Sequence, residues 1–119
     1  MGRSIARFLL PNRTAESILQ AAHAFGAAQG MRPATWSPNH VALTKGSIWW
    51  TGERWLSVAA LNVPGGADVQ VEAWVEGLGQ LNADPGATFG FIPRRDMWTI
   101  AAGFVARLGV VPEAVFRHH

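Results

Sequence analysis

Two adjacent arginines, Arg94 and Arg95, open a predicted helix that continues through Asp96 and Trp98. The first turn of a helix presents unpaired backbone N–H groups, and guanidinium groups bind carboxylates and phosphates through paired hydrogen bonds. This pattern could hold the acidic group of a ligand, with the ring of Trp98 as an apolar contact. The alternative interpretation is a solvated first turn, because cations oppose the helix dipole at that end.

Tryptophans are the second group that could bind a partner. The chain has six tryptophans and no tyrosine in 119 residues, and the segment IWWTGERW at residues 48–55 carries three of them. Aromatic rings bury large areas and are enriched in interaction surfaces. We interpret Trp49, Trp55 and Trp74 as the anchors of a binding surface. The alternative is that these rings pack on one another or beneath a loop at residues 77–92.

Other kinds of site are poorly represented in the sequence. The chain has no cysteine, which excludes disulfides, thiol nucleophiles and thiolate metal sites. Its four histidines do not share a metal-ligand spacing with carboxylates. We therefore predict no catalytic residues, no metal and no cofactor, and we favour a noncatalytic protein while leaving an enzyme open.

Composition limits the class of protein further. With 49% hydrophobic and 15% charged residues, the chain is typical of a folded protein, and we expect one α+β domain over residues 1–119. The net charge of +2 comes from scattered basic residues, so charge does not predict a nucleic-acid partner. No apolar run reaches the ~18 residues of a membrane span, and no signal peptide is recognisable. We expect a cytoplasmic protein.

Hydrophobic periodicity predicts the elements at the two ends of the chain. Residues 3–10 are typical of a strand. From Thr14, a suitable N-cap, apolar residues recur three or four apart and predict a helix that stops at Gly30. A second stripe predicts a helix from Pro93 to Gly109.

The middle of the chain has strand character. Lys45-Gly46 lies between two apolar stretches, and a two-residue turn there would pair Leu43 with Ile48 and Val41 with Trp50. Residues 77–92 contain four glycines and no period, which predicts a long loop.

The segment Pro64-Gly65-Gly66-Ala67 is the strongest hairpin signal. A four-residue loop would place Val63 opposite Asp68 and Trp74 opposite Ser57, with Trp74 diagonal to Trp55. Because side chains alternate between the two faces of a strand, valines then face the helices and both tryptophans point away from them. The predicted core residues are Leu56, Val58, Ala60, Val69, Val71, Ala73 and Val75.

The predicted fold is α+β, an antiparallel sheet of four to five strands with two helices on one face, in the order β-α-β-β-β(-β)-α. A helix, three strands and a final helix is similar in order to double-stranded RNA-binding domains, with Arg94 and Arg95 at the place of their basic motif. The lysine-rich cluster of those domains is missing and the first strand is additional. RNA binding is therefore retained only as a third hypothesis.

Our leading hypothesis is a noncatalytic binding or self-association module that uses an aromatic sheet face to bind a protein partner or a second copy. The second hypothesis is a small-molecule-binding protein or enzyme. Its pocket would lie between the sheet, the loop at residues 77–92 and the last helix, and would take an apolar or acidic ligand.

Overall fold

The computed structural model describes residues 3–46, 53–76 and 88–118, except for the side chains of residues 88–96 and 118. In chain order the elements are β1 (Arg3–Pro11), α1 (Ala15–Ala28), β2 (Arg32–Ser37), β3 (His40–Lys45), β4 (Glu53–Val63), β5 (Gly66–Glu76), α2 (Thr88–Arg107), α3 (Pro112–Val115) and β6 (Phe116–His118).

The strands form one sheet in the order β2-β3-β4-β5-β1-β6, and each neighbouring pair is antiparallel. The predicted α+β class with an antiparallel sheet is confirmed. The predicted counts are too low, because the described residues contain six strands and three helices. β1 lies inside the sheet, between β5 and β6, although it is the first strand in the sequence.

The elements that the sequence did not predict are short or exposed. β2 is an edge strand whose residues are nearly all exposed, so it has no alternation of apolar and polar positions to detect. It also contains Pro33, and its register with β3 shifts between Pro33 and Thr35. β6 is only three residues long and pairs with β1 directly after α3.

α1 forms where its sequence predicts it. The hydroxyl of the N-cap residue Thr14 accepts a hydrogen bond from the backbone N–H of Ser17 at 3.1 Å. The side-chain oxygen of Asn62, at the end of β4, accepts from the N–H of Ala15 at 2.7 Å. The helix is followed by Gly30 at a φ of 78°, a conformation that glycine adopts without strain.

α2 begins earlier than the sequence predicts. Its first residue is Thr88, so residues 88–92 of the predicted loop are helical, and Pro93 lies inside the helix rather than in its first turn. The remainder of that loop, residues 77–87, lies outside the described residues. At the other end the helix stops at Arg107, and Gly109 has a φ of 86°. The predicted stop is therefore confirmed.

The β4–β5 hairpin has a tighter turn than predicted. Val63 lies opposite Gly66 rather than Asp68, so the loop consists of Pro64 and Gly65 alone. Every opposed pair is displaced by two residues from the prediction. Because the side-chain period of a strand is two, this displacement preserves the face on which each side chain lies.

The predicted turn at Lys45-Gly46 does not form a two-residue hairpin. Leu43 lies opposite Leu56, and Val41 lies opposite Val58, so β3 pairs with β4. The predicted pairs with Ile48 and Trp50 are wrong, because β3 is bordered by β2 and β4. Ile48 and Trp50 themselves lie outside the described residues.

The core lies between one sheet face and the two long helices. Val58, Val71 and Ala6 lie in one row across β4, β5 and β1, and all three are fully buried. The predicted core residues are buried, except that Val75 is partly buried. From the helices, the cluster includes Ile18, Leu19, Ala22, Phe25, Met97, Ile100, Ala101, Phe104 and Val105. The valines therefore face the helices, as predicted, and the opposite face is called the outer face below.

Candidate functional site

Trp55 and Trp74 lie directly opposite each other on the outer face. They are register partners on β4 and β5, and their rings are parallel within 3°, with centroids 5.8 Å apart. The predicted diagonal arrangement is wrong because the turn is two residues shorter. The tighter register brings the two indoles into a stacked pair, a favourable aromatic geometry when the rings are offset. Both side chains are partly buried.

Arg3 extends this stack across a third strand. It is the register partner of Trp74 on β1, and its guanidinium carbon lies 4.5 Å from the Trp74 ring centroid. Its Nη1 also donates to Oε2 of Glu72 at 2.8 Å. The indole N–H of Trp74 donates to Oε2 of Glu76 at 3.0 Å. The ring of Trp74 is therefore held by contacts on both faces and at its polar edge.

Trp55 differs from Trp74 in its polar edge. Its Nε1 is buried and makes no hydrogen bond within the described part of the chain. Thr44, its register partner on β3, is 5% exposed, and its hydroxyl likewise lacks a partner there. A buried polar group without a partner costs about 1–3 kcal/mol, so such groups are few in folded proteins and call for an explanation. Two of them occur side by side in one row of the outer face.

The rest of the outer face mixes ion pairs with exposed leucines. Arg7 on β1 bonds to Asp68 on β5 at 3.3 Å. Leu61 is 58% exposed and Leu9 is 66% exposed. Both are register partners of Asp68 on β5, Leu61 from β4 and Leu9 from β1. Leu61 is an even number of residues from Trp55 along β4 and therefore shares its face, but the sequence pattern did not single out either leucine as a candidate contact. Their exposure could have been inferred only from the register of three strands.

A histidine and a serine form the closest approach to a catalytic pair. Nε2 of His40 lies 2.7 Å from the hydroxyl of Ser57 on the outer face. A nucleophilic serine also needs a group that orients the histidine. Within the described residues no carboxylate bonds to the His40 ring, and Glu72, the register partner of Ser57, is engaged by Arg3. The same residues contain no group of three His, Cys, Asp or Glu side chains that could hold a metal.

Three of the predicted site residues cannot be placed on this surface. Trp49 and the side chains of Arg94 and Arg95 lie outside the described residues, and so do residues 77–87 of the predicted pocket wall. Trp98 is described, and it packs edge-on against Phe116 with ring centroids 5.1 Å apart at 76°. Trp98 therefore contributes to the junction of α2 and β6, and its role as a ligand contact stays a prediction.

One further tryptophan, Trp36, was not predicted as a contact. It is 53% exposed on the edge strand β2, and its ring meets that of His23 from α1 edge-on, with centroids 4.9 Å apart. Trp36 lies opposite Val41, so it belongs to the helix-bearing face rather than to the outer face. It is therefore separate from the Trp55–Trp74 pair.

Comparison with known proteins provides no functional assignment. No protein-family model matches the chain, and no curated protein matches it at a significant level. None of the helices within residues 3–46, 53–76 and 88–118 combines the length and the apolar character needed to cross a membrane. The function must therefore be argued from the geometry of the outer face.

Proposed function

We propose that the protein is a noncatalytic self-association module whose outer face binds the outer face of a second copy. The observation that carries this proposal is the row formed by Thr44, Trp55, Trp74 and Arg3, which runs across four strands. It contains a stacked aromatic pair that is only partly buried, and the exposed Leu61 and Leu9 lie on the same face. A second chain would cover these apolar side chains.

The charges of the outer face favour a second copy over an unrelated partner. β1 carries Arg3 and Arg7, whereas the adjacent β5 carries Asp68, Glu72 and Glu76 on this face. In a dimer with a two-fold axis, every contact occurs twice: if one residue of the first copy contacts a second residue of the other copy, the reverse contact is also present. The basic strand of one copy can therefore lie against the acidic strand of the other. Because basic and acidic side chains stand on neighbouring strands of the described outer face, they do not form the continuous basic stripe that a surface following phosphates needs.

The dimensions of the face are sufficient for a specific interface. β4 and β5 have eleven residues each, and at ~3.3 Å per residue each strand extends about 36 Å. Four strands spaced by ~4.8 Å cover about 19 Å. The resulting area is on the order of 600 Å², close to the ~800 Å² that each partner buries in a standard interface.

The edges of the sheet are less suited to assembly than its face. β2 has a proline and a register shift, both of which interrupt the regular row of backbone groups that strand addition requires. β6 offers only three residues. Contact through the outer face covers the aromatic pair and the exposed side chains of Leu9 and Leu61, and contact through either edge does not.

Analytical ultracentrifugation of the wild type and of Leu61→Lys tests the proposal. A buried lysine would lose hydration without a fixed partner, so we expect the dissociation constant of the dimer to rise at least about tenfold. Trp36→Lys is the matched control, because Trp36 is similarly exposed at 53% but lies on the helix-bearing face. The control should dimerise like the wild type.

Two results would contradict self-association through this face. One is a wild-type protein that stays monomeric up to millimolar concentration. The other is a dimer that Leu61→Lys and Leu9→Lys leave unchanged while both variants remain folded by circular dichroism. In the second case the contact between copies would lie elsewhere on the molecule.

A further inference from the structure

A second candidate site lies on the opposite side of the molecule, between the two long helices. A groove of about 330 Å³ separates α1 from the C-terminal half of α2. Its floor contains Phe25 and Phe104, whose ring centroids are 5.6 Å apart. Ligand sites in proteins begin at about 300 Å³ and are lined mainly by apolar and aromatic side chains. The groove is therefore large enough for a small organic molecule.

Small residues leave this groove open. Ala21 and Ala24 form its α1 wall, and neither has a side chain that reaches across to α2. Gly103 faces Phe25 from α2, and a methyl group there would stand 3.5 Å from the tip of that ring. The two helices therefore contact each other through Phe25 and Phe104, and the groove separates them above these rings.

Two arginines line the groove, and neither forms an ion pair within the described residues. Arg107 places its guanidinium carbon 5.4 Å from the centroid of Phe25, directly over the floor. Arg13 is oriented along α1 by a hydrogen bond from its Nε to the hydroxyl of Ser17 at 3.3 Å. Among the described residues, the ion pairs are Arg3–Glu72 and Arg7–Asp68, both on the outer face.

The acidic residue of α1 does not compensate these charges. Glu16 accepts a hydrogen bond from the amide of Gln20 at 3.3 Å and forms no ion pair within the described residues. A guanidinium has five N–H donors in a planar fork that fits a carboxylate. Arg107 therefore retains most of its donors beside an apolar surface, where a charged hydrogen bond is less screened than in bulk water.

We propose that this groove binds a small amphipathic organic acid. Its apolar part lies on Phe25 and Phe104, its carboxylate is held by Arg107, and Arg13 adds to the positive potential. The apolar floor distinguishes this ligand from a polyanion, which would need a longer series of cations. The site is independent of the self-association proposed above, since it lies on the helix-bearing side of the sheet.

Titration with decanoate, monitored by ¹H–¹⁵N NMR and calorimetry, tests this inference. We expect saturable binding with the largest shifts at the amides of Ala24, Gly103 and Leu108. Decanol, which lacks the charge, and acetate, which lacks the chain, should each bind at least about tenfold more weakly, because a hydrogen bond to a charged group and apolar burial each contribute on that scale.

Variants locate the site. Arg107→Gln should weaken decanoate binding about tenfold and leave decanol unchanged, since it removes charge and retains hydrogen-bonding capacity. Arg32→Gln is the matched control, because Arg32 is an exposed arginine on the edge strand β2 and should have no effect. Ala24→Trp fills the groove from an exposed helix position and should abolish binding of both decanoate and decanol while the spectrum remains that of a folded protein.

Three outcomes would overturn the inference. They are the absence of saturable decanoate binding, equal affinities for decanoate and decanol, and an affinity that Arg107→Gln and Ala24→Trp leave unchanged. Because the oligomeric state is measured on different variants, failure here would not affect the proposed self-association. Conversely, a monomeric wild type that binds decanoate would contradict only that earlier proposal.

Discussion

The indole rings of Trp55 and Trp74 are parallel within 3° at a centroid distance of 5.8 Å, and they occupy directly opposed positions on β4 and β5. The two-residue turn at Pro64 and Gly65 produces this contact, because a longer loop would have displaced the rings by two positions. A surface feature of the outer face is thus determined by turn length at the far end of the same hairpin.

The stacked pair should contribute measurable coupling to stability. Aromatic pairs are worth about 0.5–1.5 kcal/mol beyond their buried area, so we expect a coupling of about 1 kcal/mol between Trp55→Leu and Trp74→Leu. Urea denaturation of the two single variants and the double variant completes the cycle. Additive effects of the two substitutions would show that the rings lie together without stabilising each other.

Thr44→Val should separate folding from association. Valine has nearly the shape of threonine and removes a buried hydroxyl that lacks a partner in the described residues, so we expect the monomer to gain up to about 1 kcal/mol. The same change should leave self-association unchanged, because the hydroxyl is already inaccessible within the monomer and a second copy cannot reach it. Thermal unfolding at low concentration and sedimentation at high concentration measure the two effects. A less stable monomer would mean that the hydroxyl is already bonded.

Adjacent glycines at the β4–β5 turn should differ in their tolerance to alanine. A Cβ on Gly66 would overlap the carbonyl oxygen of Leu10 and lie 2.9 Å from the Cα of Pro11. Both are backbone atoms of β1, and moving them would disturb the pairing of β1 with β5. We expect Gly66→Ala to cost at least about 2 kcal/mol. Gly65 has open space around it but a φ of 83°, so Gly65→Ala should cost only about 1 kcal/mol. Urea denaturation that ranks the two variants in reverse would contradict this account.

Two helical glycines provide a second contrast. Alanine at Gly103 would make an ordinary contact of 3.5 Å with Phe25, so the helix should gain about 0.5–1 kcal/mol in stability. Alanine at Gly26 would approach Cδ1 of Leu43 to 2.6 Å and force that buried side chain to move. We therefore expect Gly103→Ala to raise the melting temperature and Gly26→Ala to lower it. Equal shifts would argue against close packing of α1 on β3.

Strand parity explains why the outer face was predictable. The register prediction was wrong by two residues, yet Trp55 and Trp74 lie on the predicted face, because a two-residue shift leaves every side chain on its side of the sheet. Core positions such as Val71 were predictable for the same reason. Exact neighbours, including the stacked geometry, depend on the turn and were not predictable from alternation.

Features that lack periodicity were not predicted. β2 has no buried stripe, β6 is three residues long, and the first turn of α2 contains glycine and phenylalanine without a helical spacing. The groove beside Arg107 was also missed, since it joins Arg13 to Arg107, which lies more than ninety residues further along the chain. Such a juxtaposition is a property of packing and has no local sequence signal.

The interior position of β1 has a consequence for how the protein is made. Ser4 pairs with Ala73 on one side and with His118 on the other, so β1 must wait for two strands that are synthesised after it. While β1 has emerged from the ribosome and β5 has not yet been synthesised, the core residues of β1 are exposed without a neighbouring strand. We expect chaperones to bind the chain, and proteases to cleave it, during the time before β5 has been synthesised. Pairing of β1 with β5 should end that period.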